Sequence, residues 1–211
     1  LFRSIEDPWG VKRVSNSRNY ILKKMFKKHI NNGDRVIEIG CGEGNFSKFI
    51  DNLTEDCTGI DISDIAINRA KKLNLKNFAF LNKDLLEVNY LSFDIVIAVE
   101  VIYYLSNKER VTFFESLKGK KIRLIFSTPI IGKNQYRIYF KNETIKRIVK
   151  NLNFRLIEEK NLNFYGSRNF IFRILNKIFF NKYLCETYFS YKILQFLPKR
   201  MIYQKAYVID C

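Results

Sequence analysis

The chain has 211 residues, enough for a single α/β domain with little left for a second. Its hydrophobic fraction of 47% excludes wholesale disorder, and no run approaches the roughly 18 uncharged apolar residues that cross a bilayer. The formal net charge is +16, and it is unevenly placed: residues 1–100 hold 15 Lys and Arg against 14 acids, and residues 101–211 hold 22 against 7. The basic second half of the chain could bind an anionic substrate, a nucleic acid or a membrane surface. An equally good interpretation is that its lysines are only solvated surface residues.

Apolar, β-branched runs alternate with helical patterns, which is typical of a parallel sheet with crossover helices. The pattern predicts a doubly wound α/β fold with seven strands, mostly parallel, in one domain spanning residues 1–211. In chain order we predict helix Arg18–Asn31, strand Arg35–Ile39, helix Asn45–Leu53, strand Cys57–Ile60, a helix from a Ser63 or Asp64 cap to Leu73, strands Phe78–Leu81 and Phe93–Val99, a helix from Ser106 to Leu117, strand Ile122–Phe126 closed by Ser127, Thr128 and Pro129, helix Asn142–Leu152, and strands Phe154–Glu159 and Ile202–Ile209.

Residues 164–200 interrupt this regular alternation with an aromatic, basic and mostly helical stretch. Twelve Phe and Tyr occur among residues 164–203, and residues 160–200 hold eight Lys and Arg against one acid, Glu186. We predict a helical insert before the last strand. It can cap an acceptor pocket, lie at a membrane surface or form a homodimer contact.

Histidine and cysteine give no sign of a metal site. The four cysteines are scattered without a CxxC pair, so we expect reduced thiols in a cytoplasmic protein and no metal. His29 lies in a lysine-rich helical segment, and we predict a solvated surface imidazole there rather than a catalytic base.

The strongest chemical signal is the segment Val36–Asn45, in which a buried strand runs into Gly40, Gly42 and Gly44 and then into a helix. Glycines at this point let the backbone turn sharply and let a ligand approach closely, and the following helix offers unpaired N–H groups. Asp61 ends the second strand, where a carboxylate can accept bonds from both ribose hydroxyls, and Asp84 follows the third. The spacing is GxGxG rather than the GxGxxG of dinucleotide sites.

These segments resemble the class I S-adenosylmethionine-dependent methyltransferases, in their small-molecule branch. Glu38 and the three glycines match the first motif of that family, Asp61 the second, Asp84 the third, residues 93–101 the fourth and residues 126–129 the turn after the fifth strand. Asp7-Pro8-Trp9-Gly10 and residues 100–105 further resemble the NodS-like subgroup, which methylates amino sugars and related saccharide precursors. The resemblance covers about residues 5–160 and the last strand, and it implies that the seventh strand runs antiparallel between the fifth and the sixth.

The resemblance also implies roles for individual residues toward S-adenosylmethionine and its product S-adenosylhomocysteine. Gly40 and Gly42 would face the methionine part, and Glu38 would help hold its ammonium group or would only brace the loop. Asp61 would bind ribose, Asp84 with Leu85 would bind the adenine, and Val99 with Glu100 would line the floor near the sulfonium. Gly44 and Ile62 complete the implied cofactor-binding residues.

On the acceptor side, Glu100, Tyr103 and Tyr104 are the candidate catalytic residues, although the segment from Val101 to Leu105 is also an ordinary apolar corner. We expect methyl transfer to oxygen or nitrogen of a small polar acceptor that can be anionic: a sugar, a sugar-nucleotide or a phosphate-bearing precursor of a bacterial surface glycan. The Asn/Asp-Pro-Pro-Tyr/Phe motif of base methylation is absent, since Ala98-Val99-Glu100-Val101 stands in its place. RNA methylation and a non-catalytic, cofactor-binding partner protein are the alternatives.

Overall fold

The computed structural model describes residues 16–119, 121–131, 139–164, 195–197 and 202–211. These residues contain five α-helices and seven strands, apart from short 3₁₀ turns. In chain order they are α1 (Asn16–His29), β1 (Arg35–Ile39), α2 (Ser47–Ile50), β2 (Asp56–Asp61), α3 (Asp64–Lys71), β3 (Phe78–Asn82), β4 (Ile95–Val99), α4 (Asn107–Ser116), β5 (Arg123–Pro129), α5 (Asn142–Asn151), β6 (Arg155–Phe164) and β7 (Ile202–Asp210).

The seven strands form one sheet in the order β3-β2-β1-β4-β5-β7-β6. Strands β1 to β5 pair in parallel, and β7 runs antiparallel between β5 and β6. This confirms the predicted doubly wound, mostly parallel sheet and the place of its last strand. The strand order reverses between β1 and β4, and ligands of open α/β sheets bind beyond the carboxyl ends of the strands at such a point.

Alternation along the strands supplies a hydrophobic core on each face of the sheet. Val36, Ile95 and Ile97 pack on one face against α1, whose buried side chains include Leu22 and Phe26. Their strand neighbours point to the opposite face and pack against α4 and α5: Ile37, Val96, Ala98, Leu124 and Phe126. The two covered faces explain why the central strands are apolar almost throughout.

Helix starts agree with the capping signals in the sequence. Ser63 caps α3 by accepting a hydrogen bond from the backbone of Ala66, at 3.3 Å. Ser106 and Glu109 form a reciprocal capping box at the start of α4. Helix α2 is shorter than the predicted Asn45–Leu53.

Two strands extend beyond their predicted ends. Ser127, Thr128 and Pro129 were predicted to close the fifth strand, and this is wrong: β5 continues to Pro129, because these residues pair with Ala206, Lys205 and Gln204 of β7. Strand β6 likewise continues past the predicted Glu159 to Phe164, because β7 is long enough to pair with both strands.

The insert predicted at residues 164–200 falls mainly outside the described residues, as does the Asp7–Gly10 segment. Of the insert's interior, residues 195–197 are described. The Gln195 side chain hydrogen-bonds the backbone N–H and carbonyl of Asn161 in β6, both at 3.0 Å. In the part of the chain that the structure describes, no helix is long and apolar enough to cross a membrane.

The prediction that His29 is a surface residue is wrong. Its side chain is 6% exposed, because it follows Met25 and Phe26 on the buried stripe of α1. Its Nε2 lies 2.6 Å from Oε2 of Glu158 in β6, and Lys28 donates to the same oxygen at 2.8 Å. Burial alone would raise the pKa of Glu158, but the hydrogen bonds from His29 and Lys28 outweigh it and lower that pKa to about 2. This cluster fastens α1 to β6 near the amino edge of the sheet, away from the glycine loop.

We expect Glu158→Gln to destabilise the protein near neutral pH. A carboxyl whose pKa is lower in the folded state than its ordinary 4.5 stabilises above that ordinary value, and this stabilisation is lost as the pH falls toward 2. The difference in melting temperature between wild type and Glu158→Gln should therefore narrow below about pH 4.5. Thermal unfolding between pH 7 and pH 3 measures it. The exposed Glu55 offers a matched control, since Glu55→Gln makes the same charge change. A similar pH dependence in both variants would contradict a specific role for Glu158.

Candidate functional site

The candidate site lies where β1, β2 and β4 end side by side. The glycine loop leaves β1 after Ile39, and its Cys41 N–H donates to the carbonyl of Ile60 in β2 at 2.9 Å. Asp61 ends β2, and Glu100 follows the end of β4. Most of the predicted cofactor and acceptor residues are therefore brought to one edge of the sheet.

The three loop glycines all have a positive φ, which favours glycine, and they differ in what a side chain would meet. Gly40 has φ +65°, and a Cβ there would lie 2.6 Å from Cγ2 of Val101, so a larger residue would clash with the chain just past β4. Gly42 has φ +55°, and a Cβ built on it would meet nothing within 4 Å, so its backbone faces open space. The loop thus packs tightly against Val101 at Gly40, and it leaves the backbone accessible at Gly42. Gly44 also has a positive φ, +78°.

Asp61 connects the loop to the start of α3. Its Oδ2 accepts a hydrogen bond from the N–H of Gly42 and its Oδ1 one from the N–H of Ser63, both at 2.9 Å. A carboxylate offers about four lone-pair positions, so these bonds leave capacity for a ligand's hydroxyl groups. Ile62, next in the chain, is 76% exposed and presents an apolar side chain beside this carboxylate. A carboxylate beside an exposed apolar surface can hold a ribose and the face of its base.

Glu38 lies beneath the loop and is 3% exposed. It accepts a hydrogen bond from the hydroxyl of Ser47, at the start of α2, at 2.5 Å. Burial raises the pKa of Glu38 to about 7, the Ser47 hydrogen bond opposes the rise, and the charge of Asp61 adds to it. Glu38 therefore braces the loop against α2, and it also supplies negative charge for a cationic ligand.

Asp84 and Leu85 lie past the end of β3, next to the β2 end. Oδ1 of Asp84 accepts from the N–H of Leu86 at 2.9 Å and starts the 3₁₀ turn Leu85–Glu87. Both Asp84 and Leu85 are half-buried. Asp84 thus has a local structural bond and keeps acceptor capacity toward the cleft.

Glu100 is held at the end of β4 in an unusual backbone conformation. Its φ is +58°, in the left-handed region that non-glycine residues rarely adopt and that is enriched at functional sites. The N–H of Glu100 donates to the carbonyl of Ser127 at 3.2 Å, and the Ser127 hydroxyl donates to Oε1 of Glu100 at 2.7 Å. Ser127 is fully buried in β5. Two contacts from one residue therefore fix both the backbone and the carboxylate of Glu100.

The two tyrosines after Glu100 differ in exposure. Tyr103 is buried and Tyr104 is exposed, their rings are 4.5 Å apart between centroids, and the Tyr103 hydroxyl donates to that of Tyr104 at 3.5 Å. Tyr139 lies 6.2 Å from the Tyr103 ring. Tyr104 is therefore the tyrosine that can contact a ligand directly, and the buried Tyr103 packs against its ring.

Arg110 of α4 holds this tyrosine turn from behind. It is buried and donates hydrogen bonds to the backbone carbonyls of Ile102 and Tyr103, at 3.3 and 3.2 Å. Its guanidinium also lies 4.1 Å over the Phe140 ring. A cavity of about 680 Å³ opens beside it, between α4 and α5, with the apolar side chains of Phe114 and Ile148 in its wall and Arg147 at its edge.

Arg18, Arg110 and Ser127 were not among the predicted site residues. Arg110 precedes Phe113 and Phe114 on the buried stripe of α4, and Arg18 stands three residues before Ile21 on that of α1. An arginine on an apolar helix stripe is a signal that the sequence offered, because it needs a buried partner. Ser127 gave no such signal while it was assigned to a turn.

We expect the stability of Glu38→Gln, relative to wild type, to rise with pH. A carboxyl whose pKa is raised from 4.5 to about 7 on folding binds a proton in the folded state between those values, so wild-type stability falls as the pH rises through that window. Glutamine keeps an acceptor for Ser47 and does not titrate. Urea unfolding measures the free energy of unfolding of both proteins. Between pH 5 and pH 8, the value for Glu38→Gln minus the value for wild type should rise by about 2–3 kcal/mol.

Glu43→Gln is the matched control for that experiment. Glu43 lies in the same loop but pairs with Arg69 at 2.6 Å, so its replacement should not reproduce the neutral-pH shift. Parallel stability curves for wild type and Glu38→Gln would show that Glu38 does not titrate near pH 7.

Comparison with known proteins gives a consistent assignment for the middle of the chain. Residues 36–119 match the family described as methyltransferase domain. An rRNA adenine N-6-methyltransferase of Limosilactobacillus reuteri is 31% identical over 87 residues, which cover 37% of this chain and 36% of that protein. A second relative is matched over 43% of its length, so the chain spans about two fifths of the curated relatives it matches.

Solved structures share the fold across most of the chain. The N-methyltransferase NodS of Bradyrhizobium japonicum, in complex with S-adenosylhomocysteine, is 17% identical with a TM-score of 0.58, covering 79% of this chain and 87% of that one. Magnesium protoporphyrin IX methyltransferase of Synechocystis, with bound S-adenosylmethionine, is 15% identical with a TM-score of 0.62, covering 95% and 82%. Residues 36–119 therefore match a methyltransferase domain, and the sheet that carries them shares the Rossmann-like fold of these solved methyltransferases.

Proposed function

We propose that the protein transfers the methyl group of S-adenosylmethionine to an oxygen or nitrogen of a small polar acceptor. The observation that carries the proposal is the hydrogen bond between the Gly42 N–H and Asp61, which joins the glycine loop to a carboxylate beside the exposed Ile62. A loop backbone, an acceptor for hydroxyls and an apolar surface are the three elements that a nucleoside linked to an amino acid requires.

The cofactor half of the site fits a cationic ligand. The charge of Asp61 adds to the rise in the pKa of Glu38, so a cation bound between the two carboxylates would be stabilised by both. Glu38 would face the ammonium group of the methionine part through the Gly40–Gly42 backbone, and Asp61 would accept from the ribose. Asp84 and Leu85 would hold adenine, Ile62 would lie against its face, and Val99 would form the floor.

On the acceptor side, alignment contributes more than acid–base chemistry. Bound S-adenosylmethionine supplies a methyl group on a sulfonium, which departs without a proton. Holding the acceptor in line can then contribute about 7–11 kcal/mol, and a base is needed only when the acceptor must lose a proton. Glu100, fixed by Ser127, would accept that proton or bind the acceptor's hydroxyl, and Tyr104 would orient the acceptor.

The acceptor class that we favour is a sugar, a sugar-nucleotide or a phosphate-bearing precursor of a bacterial surface glycan. This finer assignment rests on the resemblance of residues 7–10 and 100–105 to the NodS-like subgroup. The basic second half of the chain is consistent with an anionic acceptor. The insert at residues 164–200 would cap the acceptor or form a membrane or homodimer contact, in a protein that we expect to act in the cytoplasm.

RNA is the second candidate acceptor, because one sequence relative is an rRNA adenine N-6-methyltransferase. The excess of cations in residues 101–211 would favour RNA binding. Against it, Ala98-Val99-Glu100-Val101 lacks the proline-containing motif with which base-amino methyltransferases position adenine. A small acceptor therefore remains the better proposal.

The cofactor proposal is tested by calorimetry, in which S-adenosylhomocysteine should bind and NAD should not. Asp61→Ala should weaken S-adenosylhomocysteine about a hundredfold, because two hydrogen bonds to a charged group contribute roughly 1.5 kcal/mol each at the low end. Asp61→Asn, which keeps one acceptor oxygen, should weaken it about tenfold.

Asp61 also accepts hydrogen bonds from Gly42 and Ser63, so Asp61→Ala could lower affinity by disturbing the loop. A matched ligand without the ribose hydroxyls is therefore needed as a control. A 2′,3′-dideoxy analogue of S-adenosylhomocysteine lacks the ribose hydroxyls and should lose little affinity on Asp61→Ala. Equal losses for both ligands would assign Asp61 to loop structure alone. Binding of NAD in place of S-adenosylhomocysteine would overturn the cofactor.

Turnover with methyl-labelled S-adenosylmethionine separates the two acceptor classes. Label should enter a small-molecule fraction of a bacterial extract and not its RNA. Glu100→Gln should lower that turnover at least about tenfold while leaving S-adenosylhomocysteine affinity nearly unchanged, since Glu100 acts on the acceptor. Turnover equal to wild type would leave Glu100 with a structural role, and label in RNA would support the second candidate.

A further inference from the structure

Helices α4 and α5 turn matching stripes of side chains toward the cavity between them. The wall residues follow the i, i+3, i+4, i+7, i+8 spacing of one helix face, from Asn107 to Glu115 on α4 and from Thr144 to Leu152 on α5. Lys141, which precedes α5, extends the second stripe. The cavity volume of about 680 Å³ is within the range of about 300–1,000 Å³ that small-molecule sites have. Of the described residues in its wall, none is a proposed cofactor or acceptor residue.

The cavity wall is cationic at one end and more apolar at the other. Helices α4 and α5 follow β4 and β5, so both helices begin at the carboxyl edge of the sheet and run toward its amino edge. The cations lie at or before the middle of the two stripes: Arg110, Lys141 and Arg147. Apolar side chains continue from the middle onward: Val111, Phe114, Ile148 and Leu152. A ligand with an anionic head toward the carboxyl edge and an apolar chain toward the amino edge matches both ends.

Positive charge exceeds negative charge in the described wall. Glu115 is the one acid among these residues, and it lies at the end of the cavity opposite to Lys141. In the part of the chain that the structure describes, neither Lys141 nor Arg147 forms an ion pair. Arg110 donates to two backbone carbonyls, and burial lowers its pKa to about 10. Because carbonyls do not neutralise a guanidinium, an anion in the cavity would reduce the cost of burying this charge.

The apolar side chains of the wall remain partly in contact with solvent. Val111 is 57% exposed, and Ile148 and Leu152 are half-buried. An apolar chain lying over them would remove this surface from water, which favours binding. We propose that the cavity between α4 and α5 binds an amphiphilic anion, with its carboxylate or phosphate head near Arg147 and its apolar chain between Val111 and Ile148. This site goes beyond the proposed function, because it is separate from the cofactor cleft.

Decanoate is a suitable probe, because it joins a carboxylate to an unbranched apolar chain. Calorimetry on the full chain should show saturable binding, and affinity should rise about fourfold for each CH₂ added between octanoate and dodecanoate. Decyl phosphate should also bind, and the tighter of the two ligands identifies the preferred head group. Decylamine has the same chain with a cationic head, so it should bind at least about tenfold more weakly than decanoate. Equal affinity for decylamine, or no dependence on chain length, would overturn the proposal.

Two pairs of variants test whether decanoate occupies this cavity. Arg147→Gln should weaken it at least about threefold, whereas Lys150→Gln makes the same charge change on α5 outside the wall and should leave affinity unchanged. Val111→Glu places a carboxylate in the wall and should abolish binding. Leu91→Glu makes a similar change at a side chain that is 61% exposed and outside the wall, so it should bind like wild type. All four side chains are exposed, so the variants should keep the melting temperature of wild type within a few degrees.

The same variants decide against the proposal if their results differ. No binding of decanoate by wild type, or equal binding by wild type and Val111→Glu, would overturn it. Sedimentation tests a different occupant of the cavity: a wild-type dimer that Val111→Glu dissociates would assign the cavity to an interface between copies of the chain and overturn the amphiphile. These measurements require neither cofactor nor acceptor, so their outcome is independent of the proposed function.

Discussion

Pairing between β5 and β7 holds the acceptor side of the site in place. It keeps β5 extended from Arg123 to Pro129 and buries Ser127 completely. Ser127 then binds the backbone N–H and the carboxylate of Glu100, which has a left-handed backbone conformation that costs about 1–3 kcal/mol. Ser127 also pairs with Val99 of β4, so the strands on both sides of β5 hold it where it contacts Glu100. A late strand of the chain thus contributes to the geometry of a residue near its middle.

Buried ionisable groups follow one rule in this protein, which is that each described one contacts a group able to satisfy it. Glu38 has Ser47, Glu158 has His29 and Lys28, and Arg110 has two carbonyls and an aromatic ring. Breaking such a pair leaves a buried charge without compensation, which costs more than the pair contributes. Arg18 bonds Oδ1 of its neighbour Asn19, and no buried side-chain nitrogen or oxygen of the described residues is left without a partner.

The sequence predicted the seven strands, their alternation with helices and the glycine loop, because each depends on local patterns of apolar residues, caps and turns. Placement of the last strand came from family resemblance, and the strand order confirmed it. The ends of β5 and β6 were missed because they depend on pairing with β7, a long-range contact that no local pattern encodes. His29 was misassigned because the flanking lysines suggested a solvated face, whereas its position after Met25 and Phe26 puts it on the buried stripe.

The candidate site residues show the same difference between features that local patterns predict and features that depend on long-range contacts. Gly40, Gly42, Asp61 and Asp84 could be named from strand ends, since residues that follow parallel strands meet at one edge. The supporting residues Ser47 and Ser127 could not, because their contacts with Glu38 and Glu100 depend on how the loop and β5 are placed in the fold. Arg110 was missed although it stands on the apolar stripe of α4. Sequence therefore predicted which residues meet at the carboxyl edge of the sheet better than it predicted which residues hold them there.

The structure shows where part of the positive charge of the second half of the chain lies. The described acids of β6 and β7 are used internally: Glu158 pairs with Lys28, Glu159 with Lys205, and Asp210 with Arg123 and Arg155. On α5, Lys146 lies 3.9 Å from Glu159, and Arg147 and Lys150 are further exposed cations. Their field extends about one Debye length, 8–10 Å at physiological salt, and it attracts anions without selecting among them. Selection requires short, directed bonds, such as those that the polar groups at the carboxyl edge of the sheet can supply.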